Sequence, residues 1–444
     1  MSALCTCPMS RSVPAAMIGA LICLAVSGRA YANVITDWDE KAVDIVQPGM
    51  AFPPPTVFRT IAILHVAMFD AVNSIERRYK PYKVELPASP DTSKEAAAAA
   101  AAAAVLVKLV PDAASDVQSA LTDYLATLPE GEAKAAGIKL GQEVAARILE
   151  DRANDGASAA DAYRPKTKPG VYVPTPITVG SQFPNVTPFA LTSPSQFRPK
   201  PPPSLKSEQW ARDYNEIKDL GERYSTKRTP SQTEDARFWL LVGPRSTHPL
   251  PRQVAIARNM SVLDSARFMA LVSVATMDAV IAVFDAKYKY EFWRPITAIR
   301  NGDIDGNLAT ERVATWQPID ATPMHPEYPC AHCITSCAVA AIIEAVLGTE
   351  EIPEVALTSP FAPGVTHRFT NLRVYTEEMA NARIYAGFHY RFSTIAGREM
   401  GQTYGDCYLS HRPHRGGWIV RFRRDRQHSN RSWPSVPRFH AGDV

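Results

Sequence analysis

The chain has 444 residues, 46% hydrophobic and 21% charged, with a net charge of +3. That length suits one large helical body or a few ordinary domains, and the composition is that of a water-soluble globular protein. So small a net charge gives no reason to expect a nucleic-acid partner, which would call for a basic face or stripe.

Residues 1–32 read as a signal peptide: Arg11 gives the positive start, Ala15 to Val26 the apolar run, and Arg29-Ala30-Tyr31-Ala32 the small-x-small cleavage pattern. The run is too short to span a bilayer, so a retained anchor is the weaker reading. The mature chain is expected to be exported, periplasmic or secreted, with no membrane span. Residues 33–155 form an expected N-terminal helical bundle. Arg59 to Ile75 carries apolar residues at helical spacing, and the alanine run Ala96 to Ala104 continues into Val105–Val110 as a thin packed helix. Residues 156–205 are rich in Pro, Thr and Ser and cannot be helical. Phe183, Phe189 and Leu191 favour wrapping onto the body over a free linker. Residues 206–410 form a second expected bundle, with Ser231-Gln-Thr-Glu234 as a capping box. Residues 411–444 hold eight arginines and no lysine and read as a poorly ordered tail. No stretch alternates convincingly as a strand, so the fold class is all-α. Val66-Ala-Met-Phe-Asp70-Ala-Val72 is echoed by Val274-Ala-Thr-Met-Asp278-Ala-Val280. That suits two related bundles packed together, although two amphipathic helices could match by coincidence.

Three segments in the C-terminal half carry chemistry. Lys287-Tyr-Lys-Tyr-Glu-Phe-Trp-Arg294-Pro295 places two cations seven residues apart, which one helix face could share. His325-Pro-Glu-Tyr-Pro329-Cys330-Ala331-His332 precedes an apolar helix whose start offers free N–H groups to an anion. Arg383-Ile-Tyr-Ala-Gly-Phe-His389 places a cation and a histidine in a helix with small residues. Each fragment alone is weak; together they can hold a tetrahedral dianion.

In order, the segments resemble the K-x6-R-P, P-S-G-H and S-R-x5-H-x3-D motifs of the superfamily of vanadium-dependent haloperoxidases and type 2 phosphatidic acid phosphatases. The surrounding text (FWRP, HPEYP, RIYAGFH) looks like the secreted bacterial haloperoxidase branch. The resemblance implies two packed helical bundles with the oxyanion in the second. It implies that Lys287, Arg294 and Arg383 bind the oxygens of vanadate, or of phosphate in a phosphatase. His389 would be the axial ligand to vanadium, or the phosphoryl-accepting nucleophile. His332 would be the general acid–base, and the N–H groups of Cys330 and Ala331 would complete the cradle. Hydrogen peroxide, a halide and a small organic molecule would be the substrates, and a homo-oligomer stays open.

The motif serine is Cys330 here, a weaker donor than a hydroxyl and, at a helix start near cations, a more reactive thiol. A haloperoxidase would need it buried, protonated or in a disulfide. The motif glycine is Ala331. The motif aspartate is Ser393, a loss that weighs against a histidine-nucleophile phosphatase. Cys333 and Cys337 read as close-packed small residues; a zinc site with His332 or His325 is a second reading, disfavoured because contiguous helical ligands rarely close a tetrahedron. With Cys407 these make an even number of cysteines in the expected mature chain. Phe284, Trp293 and His325 are the candidates for the halide pocket. The leading expectation is a haloperoxidase; an acid phosphatase and a degenerate anion-binding member are the alternatives.

Overall fold

The computed structural model describes residues 32–49, 55–174 and 177–409. The leader through Tyr31, the side chain of Cys407 and the arginine-rich tail lie outside the described residues. The helices in chain order begin with α1 (Val34–Val46), α2 (Thr56–Glu76), α3 (Lys94–Leu109), α4 (Ala114–Ala126) and α5 (Glu132–Asp151). After the Pro-rich segment come α6 (Glu208–Leu220), α7 (Pro230–Phe238), α8 (Pro244–Thr247), α9 (Pro249–Ala257), α10 (Val262–Tyr290) and α11 (Pro295–Arg300). The chain continues through α12 (Ala331–Leu347), a hairpin of β1 (Glu351–Thr358) and β2 (Thr366–Asn371), then α13 (Leu372–Tyr385) and α14 (Arg391–Leu409). The all-α class therefore holds, with one small exception.

That exception is the antiparallel pair β1–β2. Ile352, Val355 and Leu357 are buried on β1 and Phe369 on β2, but Pro353 breaks the alternation on β1 and the register shifts between Glu351 and Val355. The hairpin is held from outside: Gln253 on α9 exchanges two hydrogen bonds with the backbone of Ala356. Its signal was tertiary, not periodic.

Local chemistry sets the helix starts. Asn33, Ser93, Ser207, Ser261 and Asn371 cap α1, α3, α6, α10 and α13 by accepting first-turn N–H groups. The capping box of α7 lies two residues earlier than the sequence pattern suggested. Thr229 caps, Gln232 reaches back, and Pro230 occupies the first helical position. Pro at that position costs no hydrogen bond, which is why Thr229-Pro-Ser-Gln232 outcompetes Ser231–Glu234.

α2 and α10 form the centre of the molecule and pack on each other. Both are long and apolar enough to cross a membrane by length and composition, yet 89% and 100% of their apolar windows are buried inside the fold, as in core helices. The echoed aspartates sit on these two helices and do the same work. Asp70 accepts the N–H groups of Tyr82, Lys83 and Val84 at 2.6, 2.9 and 2.8 Å. Asp278 accepts those of Phe189, Ala190 and Leu191 at 2.7, 2.8 and 2.9 Å. Each buried carboxylate thus satisfies three backbone donors of an extended segment that has no ladder of its own. For Asp278 that segment is the Pro-rich stretch, where Phe183, Phe189 and Leu191 are buried and Arg198 forks onto Asp285 at 2.7 Å.

Candidate active site

The three motif segments meet where the end of α10, the start of α12 and the α13–α14 turn converge. Lys287 is the last buried residue of α10. The helix then stops, because Glu291 takes a left-handed conformation at φ 48°. Arg294 is therefore not on the same helix face as Lys287; it follows an extended turn and precedes α11. That turn is tied at both sides, with Trp293 N–H donating to Gly170 O at 3.1 Å and Glu327 N–H donating to Phe292 O at 2.9 Å.

Both cations then grip the 325–327 segment. Lys287 Nζ donates to Pro326 O at 2.9 Å and Glu327 O at 2.7 Å. Arg294 Nε donates to His325 O at 2.9 Å, and Nη1 donates to Phe388 O at 3.0 Å. Arg383 lies in the last turn of α13, with Nη1 donating to Trp239 O at 2.5 Å and Nε without a partner. His389 is not in that helix. α13 ends at Tyr385, Gly387 turns the chain at φ +80°, and His389 falls before α14. A side chain at Gly387 would collide with the Gly221 backbone, so the turn needs glycine twice over.

The structure also supplies the carboxylate that the sequence seemed to lack. Ser393 Oγ stands 3.5 Å from His389 Nδ1, but Glu327 Oε1 is bonded to that nitrogen at 2.8 Å and accepts Tyr390 N–H at 3.2 Å. The expected loss of an orienting acid is thereby corrected: Glu327, 62 residues before His389 in the chain, takes the position. With Nδ1–H donated to Glu327, Nε2 of His389 is the acceptor nitrogen and takes a long hydrogen bond from Arg294 Nη1 at 3.3 Å.

At the start of α12, Cys330 is the N-cap and its Sγ accepts Cys333 N–H at 3.3 Å. Its own N–H is donated to Ser393 O at 3.2 Å, so of the two cradle amides the sequence suggested, that of Cys330 is already engaged. Ala331 opens the helix and lines the cavity. His332 also lines it, with Nε2 3.1 Å from Leu241 O. Cys330, Cys333 and Cys337 are free thiols. The close-packing reading fits them: a side chain at Gly397 of α14 would lie 2.6 Å from Cys330 O and 2.9 Å from Cys333 Cβ. No zinc cluster of these cysteines with His332 or His325 is assembled among the described residues.

Burial governs the electrostatics. It pushes Lys287 well below the ordinary lysine range, with Arg294 adding to the effect, and brings Arg383 down to about 10. Burial also holds His325, His332 and His389 well below the usual histidine range, reinforced by Lys287 and Arg294 for His325, chiefly by Arg383 for His332, and by all three cations for His389. Glu327 is pushed up to about 7 by burial, against the pull of Lys287 and Arg294. For Cys330, burial acts upward but is outweighed by the bonds from Cys333 and the charge of Arg383, so the thiol falls below its ordinary value.

Residues 267–414 match the family model described as the VCPO second helical-bundle domain. That stretch contains every motif residue just placed. The match assigns this stretch, a third of the chain, to the second helical-bundle domain of the vanadium chloroperoxidase type. Vanadium chloroperoxidase of Curvularia inaequalis is 26% identical over 233 residues, a match spanning 40% of this chain and 38% of that protein. Among solved structures, a bacterial vanadium-dependent iodoperoxidase superposes with a TM-score of 0.71 at 24% identity, covering 84% of this chain and 95% of that one. A holo-type bacterial vanadium-dependent chloroperoxidase does so with a TM-score of 0.68 at 18% identity, covering 84% and 96%. At those identities the structural likeness establishes the fold.

The residues of this site fit an oxyanion. Lys287, Arg294 and Arg383 are all buried, and none forms an ion pair among the described residues. Three cations against the single carboxylate of Glu327 leave two uncompensated positive charges in a dry site, a costly arrangement unless an anion enters. The orphaned Nε–H of Arg383 is a donor waiting for that anion. The cavity measures about 60 Å³ and is lined by Ala331, His332, Arg383 and His389 together with apolar residues that include Phe58, Val280 and Phe284. A water needs about 10–15 Å³ by the same measure, so the space suits a handful of oxygen atoms. Phe284 and His325 line it, with ring centroids 5.1 Å apart. Trp293 does not; it stacks on Trp210 in a separate core.

Proposed function

We propose that this protein is an exported, vanadium-dependent haloperoxidase-like enzyme that oxidises halide with hydrogen peroxide and passes the oxidised halogen to a small organic substrate. The observation that carries the proposal is the pair of uncompensated positive charges around a neutral, carboxylate-oriented His389. Lys287, Arg294 and Arg383 would hold the oxygens of vanadate and His389 Nε2 would be its protein ligand. Vanadate, when bound, supplies a Lewis-acid centre that polarises peroxide without a change in oxidation state. The protein's own share is to bind, orient and move protons. Glu327 fixes the tautomer and direction of His389. His332, neutral and facing the cavity, can accept a proton from incoming peroxide and return it to a departing oxygen. The apolar lining of Phe58, Val280 and Phe284 disfavours water beside the oxyanion, and the small cavity favours peroxide and halide over larger molecules.

One observation supports a second reading. Glu327 restores the carboxylate that a histidine nucleophile needs, so His389 could accept a phosphoryl group while His332 protonates the leaving alcohol. The test is bromide and iodide oxidation by the purified mature chain with and without vanadate, beside hydrolysis of an aryl phosphate. Vanadate-dependent turnover that phosphate suppresses supports the first reading. Phosphate-ester hydrolysis without halide oxidation replaces it with the second.

A further inference from the structure

The turn that opens α12 holds a second device, which oxyanion binding leaves unused. Cys330 and Cys333 bracket Ala331 and His332, giving a C-x-x-C spacing with Cys330 as the N-cap. The Cys333 N–H points at Cys330 Sγ from 3.3 Å. Both cysteines are fully buried and, with Ala380, form a small cluster of their own. A helix start, a neighbouring cation and a second cysteine three residues on are the three features that make a thiol nucleophilic and pair it with a resolving partner. All three are present, since Arg383, which lines the cavity, also acts on the Cys330 sulfur. Cys337, one turn further along, is engaged elsewhere, by Arg398, Thr376 and Ser336.

We propose that Cys330 and Cys333 form a redox-active dithiol that hydrogen peroxide converts to a disulfide across the first turn of α12. In the first step the Cys330 thiolate attacks one peroxide oxygen. The S–O bond forms, the O–O bond breaks, and hydroxide leaves with the electron pair, giving the sulfenic acid. In the second step the Cys333 sulfur attacks Cys330 Sγ; the S–S bond forms and the sulfenic oxygen departs as water, taking the Cys333 proton. The pair gives up two electrons in all and peroxide takes them. Cys330 acts first because it is the sulfur that receives the helix N–H. Cys333 resolves because it lies one turn away within the same buried cluster. The inference rests on the geometry of this turn and not on halide oxidation.

The test uses the reduced full mature chain without vanadate or halide, so its failure is separate from failure of the enzymatic reading. After treatment with a slight excess of hydrogen peroxide, the protein is denatured, alkylated, digested and mapped by mass spectrometry. The expected product is a Cys330–Cys333 disulfide with Cys337 alkylated, reversible by dithiothreitol. In Cys333→Ser the expected product is a dimedone-trapped sulfenic acid at Cys330. A disulfide through Cys337 or Cys407, a sulfenic acid trapped first at Cys333 in the native chain, or alkylation of all four cysteines of the mature chain after peroxide treatment would each overturn the proposal. If Cys333→Ser does not fold, the mapping of the unmodified sequence still decides.

Discussion

Glu327→Gln separates the cost of a buried charge from its use. The side chain is fully buried, and its shape and its acceptor toward His389 Nδ1 and Tyr390 N–H survive the change. Its pKa rises from 4.5 to about 7. At about 1.4 kcal/mol for each tenfold change in proton affinity, that rise makes ionised Glu327 cost about 3 kcal/mol of folding stability. The sign follows from proton binding. Between those two values the folded chain holds a proton that the unfolded chain has lost, so stability falls as pH rises through the window. The penalty is absent below pH 4.5 and complete above about 7. Glutamine carries no such penalty. Urea denaturation of both proteins, free of phosphate and vanadate, at about pH 4 and about pH 8 gives the answer as a difference of differences. The variant should gain about 3 kcal/mol relative to wild type between the two conditions. Its turnover in whichever reaction the enzyme performs should fall about 10–100-fold, as when an orienting partner of a ligating histidine is lost. A variant that instead loses stability at the higher pH would refute the reasoning, because the attraction of Lys287 and Arg294 would then outweigh burial.

The histidines predict an opposite slope. His325, His332 and His389 are held neutral, so below their ordinary value of 6.5 the unfolded chain binds protons that the folded chain does not; stability is full above that pH and falls as pH drops, by up to about 1.4 kcal/mol per unit for each. Thermal melts across that range should show the loss, and saturating phosphate should flatten it. Phosphate or vanadate at about 100 times its dissociation constant should add about 2.7 kcal/mol of stability at constant pH. Lys287→Met should abolish most of that gain in a thermal-shift titration while removing a buried charge. Gly397→Ala tests the α12–α14 seam. An alanine exchange on an open helix face gains about 1 kcal/mol, whereas here the new carbon meets Cys330 O and Cys333 Cβ, so a loss of about 1–3 kcal/mol is expected by calorimetry.

What the sequence disclosed and what it withheld divide along a physical line. The helices of the core were legible, since their patterns are local and periodic. So were the residues now found together, because Lys287, Arg294, His332, Arg383 and His389 sit in motifs whose order is itself information. The reasons behind their convergence were not legible. Two cations seven apart suggested a shared helix face; in fact the chain breaks at Glu291, and Arg294 reaches the site from an extended turn. Arg383 and His389 suggested one helix, and a turn at Gly387 divides them. Glu327 was overlooked because its partner is remote in sequence and it falls outside the motif spacing. Its flanking His325-Pro-Glu327-Tyr-Pro329, an acid enclosed by prolines in an otherwise apolar approach to a helix, was the one available hint. The hairpin was hidden by Pro353. The duplicated aspartates were visible as an echo, but only the fold shows that each holds three backbone amides.

The partners of the three cations explain how the site keeps its charge. A buried Lys or Arg is usually held by a carboxylate, which fixes its position and cancels its field together. Here the holding groups are uncharged, mainly carbonyls: Pro326 and Glu327 for Lys287, His325 and Phe388 for Arg294 beside the ring nitrogens of His325 and His389, and Trp239 for Arg383. A carbonyl dipole satisfies a donor and fixes its direction while leaving the net charge in place. The same bonds tie the carbonyl-bearing segments to one another, so Glu327 and His389 are positioned by the groups whose charge they share. Preorganised charge of this kind needs no reorganisation when an anion arrives. Its cost is borne by the depressed pKa values of the cations and histidines and by the raised pKa of Glu327. A substitution that gave any of the three cations a carboxylate partner, at unchanged packing, would stabilise the empty protein and remove its reason to bind an oxyanion.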